Sequence, residues 1–124
     1  MQNQSPAAQF IGQYYQAYAA DRNLLAPVYN ETSVVIYEGS EVVGTSAILT
    51  KLNSLRFSSI NHALTSVDTT NLPNGATMIL VVGQLKTDDD PPHGYTEVFV
   101  ITPNPQTNMP LITNQIFRLS LHHT

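Results

Sequence analysis

The first apolar residues of the chain recur at helical spacing. They form a stripe on one face of a helix, made of Phe10, Ile11, Tyr14, Tyr15 and Tyr18. Ser5 and Pro6 stand before this stripe, and serine can cap free helix amides while proline fits the first turn. The pattern therefore predicts a helix that starts at Ser5-Pro6 and buries the stripe in the core.

Two shorter helices are predicted before residue 58. Asp21-Arg22-Asn23 interrupts the first pattern, and the second helix follows with Pro27 near its start. Its apolar positions are Leu24, Leu25, Val28 and Tyr29. We expect Thr45 and Ser46 to cap a third helix. Its apolar residues fall at offsets i, i+4 and i+7 and are Ile48, Leu52 and Leu55.

The remaining segments carry strand and turn patterns. A β-branched run over 33–37 predicts a strand, Glu38-Gly39-Ser40 a turn, and Val42-Val43 a short return strand. Longer strands are predicted over 60–70, 76–86, 95–102 and 111–121.

The connections between the long strands carry their own signals. Leu72-Pro73-Asn74-Gly75 predicts a hairpin turn, and residues 86–94 a polar loop. Three prolines within 102–110 predict a connection without regular structure. Gly83 lies inside an apolar strand and indicates a bulge or a bend.

Helices followed by consecutive antiparallel strands favour an α+β fold, with the helices packed on one face of a sheet. We expect residues 1–124 to form a single domain. Val81, Phe99 and Phe117, with their neighbours, supply more apolar strand positions than three helices can cover. The sequence therefore predicts dimerisation through the sheet.

Composition and charge exclude several classes of protein. With 42% hydrophobic and 11% charged residues, the chain is neither a disordered tail nor a charged coiled coil. Five scattered Lys and Arg residues and a net charge of −4 argue against nucleic-acid binding. The absence of cysteine excludes a thiolate zinc site and a cysteine nucleophile. Neither a membrane-spanning apolar stretch nor a signal peptide is recognisable, so membrane insertion is not expected.

Acidic residues provide the most unusual local feature. Asp88-Asp89-Asp90 holds three of the nine acidic residues, at a spacing unsuited to a calcium loop, and we expect no metal site. The run is either a solvated loop or a docking rim that steers a basic partner toward an apolar surface. Glu38, at the turn after a strand, is either an exposed turn acid or part of the same rim.

Histidines and enzyme motifs give little support for catalysis. His62 is expected to be a structural histidine with its hydrogen bonds satisfied, and His93 to be exposed. The adjacent His122 and His123 point to opposite faces of a strand and form a poor ligand pair. Nucleophile-elbow, phosphate-loop, zinc-protease and dinucleotide motifs are missing, so we expect neither catalytic residues nor a cofactor.

Five strings in order closely resemble the nuclear transport factor 2 family. They are FIGQYYQAYAADRNLLAPVY, YEG, GTSAILTKLNSLRF, VVGQLKTDDDP and TNQIFRLSLHH, and the match runs from about Phe10 to His123. The resemblance implies three helices packed on a strongly curved antiparallel sheet, which together form a cone with an apolar cavity. It also implies a homodimer that pairs through the sheets.

The resemblance further implies binding without catalysis. Family members dock the small GTPase Ran in its GDP form, with a switch II phenylalanine in the cavity and basic side chains on carboxylates at its mouth. Carried over by motif, the Ran-binding rim is Glu38, Asp88 and Asp90. The matching cavity positions are Tyr37, Leu55, Ile60, Leu85, Thr87, Ile116 and Phe117.

A second family partner is the Phe-Gly repeat of nuclear-pore proteins, which implies a location in cytoplasm and nucleus with enrichment at the nuclear envelope. The best-known member uses a tryptophan before its first helix for these repeats, whereas this chain has no tryptophan and Gln2 to Ser5 is polar. Where a cavity tryptophan is expected, this chain has Tyr37, and Thr87 and His93 make the mouth more polar.

Three alternatives stay open within the same superfamily. One is the small subunit of a messenger-RNA export heterodimer, which the complete acidic loop disfavours. Another is the dimerising head of a stress-granule scaffold, which opens a longer chain. The third is a cavity enzyme such as an isomerase or dehydratase, for which His62, Asp68 and Tyr14 are conceivable acid–base groups.

Overall fold

The computed structural model describes residues 5–107 and 109–120. Its helical elements are α1 (Pro6–Ala20), a 3-10 helix (Arg22–Val28) and α2 (Thr45–Asn53). Its strands are β1 (Val34–Tyr37), β2 (Ser40–Val43), β3 (Ile60–Asn71), β4 (Thr77–Thr87), β5 (His93–Asn104) and β6 (Met109–Leu119). The predictions for residues 2–4, for a strand end at Leu121 and for His122 and His123 lie outside the described residues.

Within the described ranges, six strands form one curved, open sheet in the order β2-β1-β6-β5-β4-β3. Neighbouring strands are antiparallel except β1 and β6, which pair in parallel. The helices pack on one face of this sheet, and the core lies between the two layers. The predicted α+β class, with helices on one face of a curved antiparallel sheet, is confirmed.

The first helix forms as its sequence pattern predicts. The Ser5 side chain accepts a hydrogen bond from the Ala8 amide (3.1 Å), and Pro6 occupies the first turn. The whole predicted stripe is buried and faces the sheet. Asp21 ends α1 and at once caps the 3-10 helix, because its side chain accepts a hydrogen bond from the Asn23 amide (3.0 Å).

Both shorter helices differ in detail from the prediction. The second is a 3-10 helix, and Pro27 lies near its end rather than its start. The third begins at Thr45 after Gly44, whose φ of 93° suits glycine, and no side chain caps it. The predicted capping by Thr45 and Ser46 is therefore wrong. Leu55 lies beyond the helix, which ends at Asn53.

A two-residue turn joins β1 and β2 and sets the direction of Glu38. Tyr37 pairs with Ser40, and the two residues between them have φ values of 51° (Glu38) and 87° (Gly39). Positive φ at both central positions is the pattern of a type I′ hairpin turn. Glutamate rarely adopts this conformation, so other contacts must hold Glu38 in place.

The predicted irregularity at Gly83 is present, but the bulge lies in the neighbouring strand. The β3–β4 register shifts between Leu64 and Ser66, and Gly83 pairs with Leu64. A Cβ atom at Gly83 would come within 2.4 Å of the Ala63 carbonyl oxygen. The absence of a side chain at Gly83 therefore lets the bulged backbone approach β4.

Substitution of Gly83 by alanine is expected to lower the free energy of unfolding by about 1–3 kcal/mol, because backbone atoms must move apart. Gly12→Ala is the matched control, since its Cβ would meet nothing within 4 Å on α1. That control should raise the free energy of unfolding by about 0.5–1 kcal/mol. Urea unfolding curves of both variants would test this, and a Gly83→Ala protein as stable as wild type would contradict it.

The last hairpin is longer than predicted. Strands β5 and β6 run on through the proline-rich segment, and Pro103 lies opposite Pro110. Beyond Ile101, β5 has no partner strand on its β4 side. The amide hydrogen that Pro103 lacks therefore interrupts no hydrogen bonds between strands on that side. The expectation of no regular structure over 102–110 is therefore wrong for 102–104 and 109–110, which belong to these strands, whereas 105–107 form a turn. The polar loop predicted over 86–94 is likewise shorter, since β4 ends at Thr87 and β5 begins at His93.

The apolar outer face of the sheet is built by neighbours of the three predicted residues and not by those three residues themselves. Val81, Phe99 and Phe117 are buried under the helices. Their sequence neighbours point the other way, because side chains alternate along a strand. The cross-strand row on the outer face is Leu80, Val98 and Ile116, with Met78 and Val100 beside it. We call these five residues the outer row.

Candidate functional site

A cavity of about 200 Å³ opens between the helices and the sheet. Six of the seven predicted cavity residues line it, namely Tyr37, Leu55, Ile60, Leu85, Thr87 and Phe117. Val35, Leu52 and Leu119 add further apolar surface. Strands from both ends of the chain thus build one apolar wall.

Ile116 does not line the cavity. Its side chain is 47% exposed and belongs to the outer row, while Gln115 and Phe117 on either side of it face inward. Adjacent residues on a strand point to opposite faces, so Ile116 and Phe117 cannot both face the cavity. The prediction for Ile116 is therefore wrong.

Stacked aromatic rings form one side of the cavity. Tyr37 and Phe117 are nearly parallel, with centroids 4.7 Å apart and an interplanar angle of 13°. The Lys51 ammonium lies 5.5 Å from the Tyr37 ring centroid, within reach of a cation–π interaction. Burial raises the pKa of the Tyr37 hydroxyl to about 12, so this hydroxyl stays neutral near pH 7.

A buried polar network lies at the inner end of the cavity. It consists of Tyr14, Tyr15, Tyr29, Glu97 and Gln115, and we call it the Glu97 cluster. Tyr14, Glu97 and Gln115 also line the cavity. Glu97 is only 5% exposed, which is unusual for a carboxyl group.

Neutral groups hold both carboxyl oxygens of Glu97. The Tyr15 hydroxyl donates to Oε1 (2.8 Å), and Gln115 Nε2 donates to Oε2 (2.5 Å). Gln115 also donates to the Tyr14 hydroxyl (2.9 Å) and accepts a hydrogen bond from the Tyr29 hydroxyl (2.7 Å). Burial raises the pKa of Glu97 to about 7, although these two donors act in the opposite direction.

His62 lies beside the Glu97 cluster and also lines the cavity. Its ring stacks on Tyr15, with centroids 4.2 Å apart, and meets Tyr18 and Tyr95 edge-on. Its Nδ1 atom is buried without a hydrogen-bond partner in the described structure, so the expectation of a satisfied histidine is wrong. Burial lowers the pKa of His62 to about 4, which keeps the ring neutral at physiological pH.

Glu38 is fixed at the edge of the cavity by two backbone contacts. Its carboxylate accepts a hydrogen bond from the Leu119 amide (2.8 Å), and its own amide donates to the Phe117 carbonyl (3.0 Å). These contacts hold the unusual positive φ of the turn. Since Tyr37, Phe117 and Leu119 all line the cavity, Glu38 lies next to its wall.

The acidic run directly follows Thr87, which lines the cavity. The Asp88 carboxylate accepts hydrogen bonds from the amides of Ser58 (3.0 Å) and Ser59 (2.9 Å), so it ties this turn to the loop after α2. Asp90 is exposed, and its amide donates to the Thr87 carbonyl (2.9 Å). Asp88 thus has a structural contact with a loop distant in the sequence, which its sequence pattern did not reveal.

The three conceivable acid–base residues are only partly brought together. Of the three conceivable acid–base groups, Tyr14 and His62 line the cavity, whereas Asp68 is exposed on β3 opposite Leu80. Among residues 5–107 and 109–120, no group of three or more His, Asp or Glu side chains is placed to hold a metal ion. No helix within these ranges is long and apolar enough to cross a membrane.

Sequence reasoning missed Glu97 and Gln115, although a signal for Glu97 was available. Tyr95, Glu97, Phe99 and Ile101 alternate along β5 and share its buried face. A carboxyl group at such a position must find hydrogen-bond partners in the core. Gln115 offered a weaker signal, because its partners come from residues distant in the sequence.

The curved open sheet, the helices on one face and the cavity between them define the class: a cone-shaped α+β fold with an apolar-walled cavity open at one end. Comparison with known proteins gives the family. The nuclear transport factor 2 (NTF2) domain matches residues 7–119, and the chain belongs to this family.

Relatives and a solved structure agree with this assignment. The chain is 36% identical to a probable nuclear transport factor 2 of Caenorhabditis elegans, over 97% of this chain and 94% of the relative. It is 34% identical to nuclear transport factor 2 of Neurospora crassa, over 93% of both chains. The structure of nuclear transport factor 2 from Cryptosporidium parvum superposes with a TM-score of 0.86 at 30% identity, over 97% of this chain and 100% of the other. These relationships support a role in nuclear transport.

Proposed function

We propose that this chain is a nuclear transport carrier that binds Ran in its GDP form and returns it to the nucleus. The observation that carries the proposal is an apolar cavity large enough for one aromatic ring, with the carboxylates of Glu38 and Asp88 fixed next to its wall. The names of the relatives support the same role. The proposed activity is binding without catalysis.

The cavity supplies the apolar part of the interaction. A phenylalanine from switch II of Ran enters the cavity beside the Tyr37–Phe117 stack. There it contacts other apolar lining residues, namely Leu55, Ile60 and Leu85. Burial of one such ring contributes about 1.5–3 kcal/mol. A preformed pocket keeps the cost of ordering low.

The rim carboxylates supply orientation. Glu38 uses one carboxyl oxygen for Leu119, so its other oxygen is available to a basic side chain of the partner. Asp90 is exposed, while Asp88 orders the turn through Ser58 and Ser59 and adds negative charge beside it. Complementary charge of this kind steers the encounter and fixes the register.

Selectivity for the nucleotide state comes from Ran. Switch II of a GTPase rearranges between the GDP and GTP forms, so the ring and its basic neighbours match this surface in one state only. The carrier therefore distinguishes the two states without touching the nucleotide.

The proposal includes a homodimer and a second partner. The outer row gives each copy an apolar surface through which two sheets pair. Phe-Gly repeats of nuclear-pore proteins, which bind weakly and exchange quickly, are the second partner. Cycling through the pore would place the carrier in cytoplasm and nucleus, with enrichment at the nuclear envelope.

Calorimetric titration with Ran tests the proposal directly. We expect binding to GDP-loaded Ran and at least about tenfold weaker binding to GTP-loaded Ran, at about 0.15 M salt, because Debye screening at that ionic strength matches the cell. Tight binding to neither form would reject the carrier function for that Ran and favour a search for a heterodimeric partner.

A further inference from the structure

Glu97 is an ionisable group inside the cavity that the proposed docking mechanism does not use. It is almost completely buried, lines the cavity, and receives one hydrogen bond on each carboxyl oxygen. A carboxylate can accept about four hydrogen bonds. The charged form therefore depends on solvent in the cavity for the rest of its stabilisation, whereas the neutral acid needs less.

An apolar ring that fills the cavity removes this solvent. Because Glu97 lines this cavity of about 200 Å³, a ring that enters it displaces water from the space beside the carboxyl group. Dehydration disfavours a charged carboxylate far more than a neutral acid. Entry of the ring and protonation of Glu97 therefore favour each other.

We propose that an apolar ring entering the cavity drives the uptake of one proton by Glu97, so that occupancy of the cavity is coupled to pH. The coupling is reciprocal: a lower pH favours the ring, and the ring favours the proton. Where Ran supplies the ring, this inference rests on the proposed function and adds a regulation to that site.

The other titratable side chains that face Glu97 do not change their protonation state between about pH 5 and pH 9. They come from α1 (Tyr14, Tyr15, Tyr18), the residue after the 3-10 helix (Tyr29), β1 (Tyr37), β3 (His62) and β5 (Tyr95). Burial raises the pKa of each of these tyrosines and lowers that of His62, so all of them are neutral between about pH 5 and pH 9.

Fixed charges lie farther out. They are Arg22 on the 3-10 helix, which lies over the Tyr18 and Phe57 rings, Glu38 in the β1–β2 turn, Lys51 on α2, and Arg56 at the cavity wall. Direct hydrogen bonds to Glu97 come from neutral groups. Burial holds the pKa of Glu97 near 7. A further rise of this pKa therefore protonates more of the carboxyl group at physiological pH.

Titration of the full chain with toluene, followed by NMR at pH 6, 7 and 8, tests the coupling without Ran. We expect binding to be about five- to tenfold weaker at pH 8 than at pH 6, the range that linkage gives for a free pKa near 7. Equal affinity at pH 6 and pH 8, or no binding of toluene at either, would overturn the proposal.

Substitution of Glu97 by glutamine should remove the dependence on pH. Glutamine imitates the neutral acid, since it can accept from Tyr15 and, after an amide flip of Gln115, donate to that residue. We expect affinity at every pH to match that of wild type at pH 6. Glu41→Gln, an exposed glutamate on β2, should keep the wild-type dependence. A Glu97→Gln protein with the wild-type dependence would overturn the proposal.

A measurement on the wild-type protein covers the case in which Glu97→Gln does not fold. The carboxyl ¹³C signal of Glu97 should titrate near pH 7 and move to higher pH with saturating toluene. A midpoint that toluene does not move would contradict the coupling.

Calorimetry with GDP-loaded Ran in two buffers of different ionisation enthalpy separates this inference from the proposed function. Proton uptake on binding, lost in Glu97→Gln, would support both. Coupling with toluene but no binding of Ran would support the proton uptake and reject the carrier function. Binding of Ran without proton uptake would overturn the inference for the Ran complex and leave the carrier function intact.

Discussion

Replacement of Glu97 by glutamine is expected to raise the free energy of unfolding by about 3 kcal/mol at pH 8 and to leave it almost unchanged at pH 4. The reason is the pKa of Glu97, which burial raises from 4.5 to about 7. At pH 8 the wild-type protein must hold a buried carboxylate, whereas the variant holds a neutral amide with similar hydrogen bonds.

The direction in which stability changes with pH depends on whether the folded or the unfolded state binds more protons. Between about pH 4.5 and 7, folded Glu97 keeps a proton that the unfolded chain releases, so its contribution to stability falls as pH rises through this window. His62 acts oppositely. Burial lowers its pKa from 6.5 to about 4, so its contribution is present above about pH 6.5 and is lost as pH falls toward 4. In wild type the two slopes therefore oppose each other where their windows overlap.

Urea unfolding of wild type and Glu97→Gln in steps from pH 4 to pH 8 measures this effect. The variant should gain stability between about pH 4 and pH 6.5 and then level off, since the opposing slope of Glu97 is gone and only that of His62 remains. Glu41→Gln serves as the control with the same change of side chain at an exposed position. A constant difference between wild type and Glu97→Gln at all pH values would show that the Glu97 carboxyl has an ordinary pKa.

Glu38→Lys is expected to weaken the binding of GDP-loaded Ran by about 2–5 kcal/mol, or at least about thirtyfold. The substitution removes a carboxylate next to the cavity and puts a cation opposite the basic side chains of the partner. It also removes the acceptor for the Leu119 amide, so a local loss of order could contribute to the effect.

Glu38→Gln separates these two causes. Its side-chain oxygen can still accept the hydrogen bond from Leu119, while the charge is gone. Calorimetry should give weaker binding for Glu38→Gln than for wild type, with an unchanged unfolding curve. Glu41→Lys makes the same charge reversal on the neighbouring strand and should bind with nearly wild-type affinity. If Glu38→Gln binds as tightly as wild type, the charge of Glu38 has no part in docking.

Local patterns in the sequence predicted much of the fold. The α1 stripe and the Ser5 cap were confirmed, because the interactions that form them join residues three to four apart. The Thr45–Ser46 cap failed since Gly44 already provides the turn that begins α2. The proline-rich hairpin was wrong for another reason: prolines at free edges of strands interrupt no hydrogen bonds, and only the topology says which edges are free.

The alternation of side chains along a strand predicts which residues face the cavity. It does not predict the parts of the site that depend on contacts between residues distant in the sequence. Strand alternation alone separates Ile116 from Phe117 and singles out Glu97 as an inward-facing acid. No pattern could give the contacts of Asp88 with Ser58 and Ser59, because these join two loops thirty residues apart. The hydrogen bonds of Gln115 likewise depend on residues distant in the sequence, on α1, on β5 and directly after the 3-10 helix.

The parallel pairing of β1 with β6 has a consequence for the order of assembly. Val34 pairs with Asn114 and Tyr37 with Phe117, so the first strand cannot join the sheet until the last one has been synthesised. Such non-local contacts form late, after loop closure over most of the chain. The β3–β4 and β4–β5 pairings, by contrast, join strands that follow each other in the chain and need only short loops to close. The cavity wall at Tyr37 and Phe117 is therefore among the last parts of the protein to form.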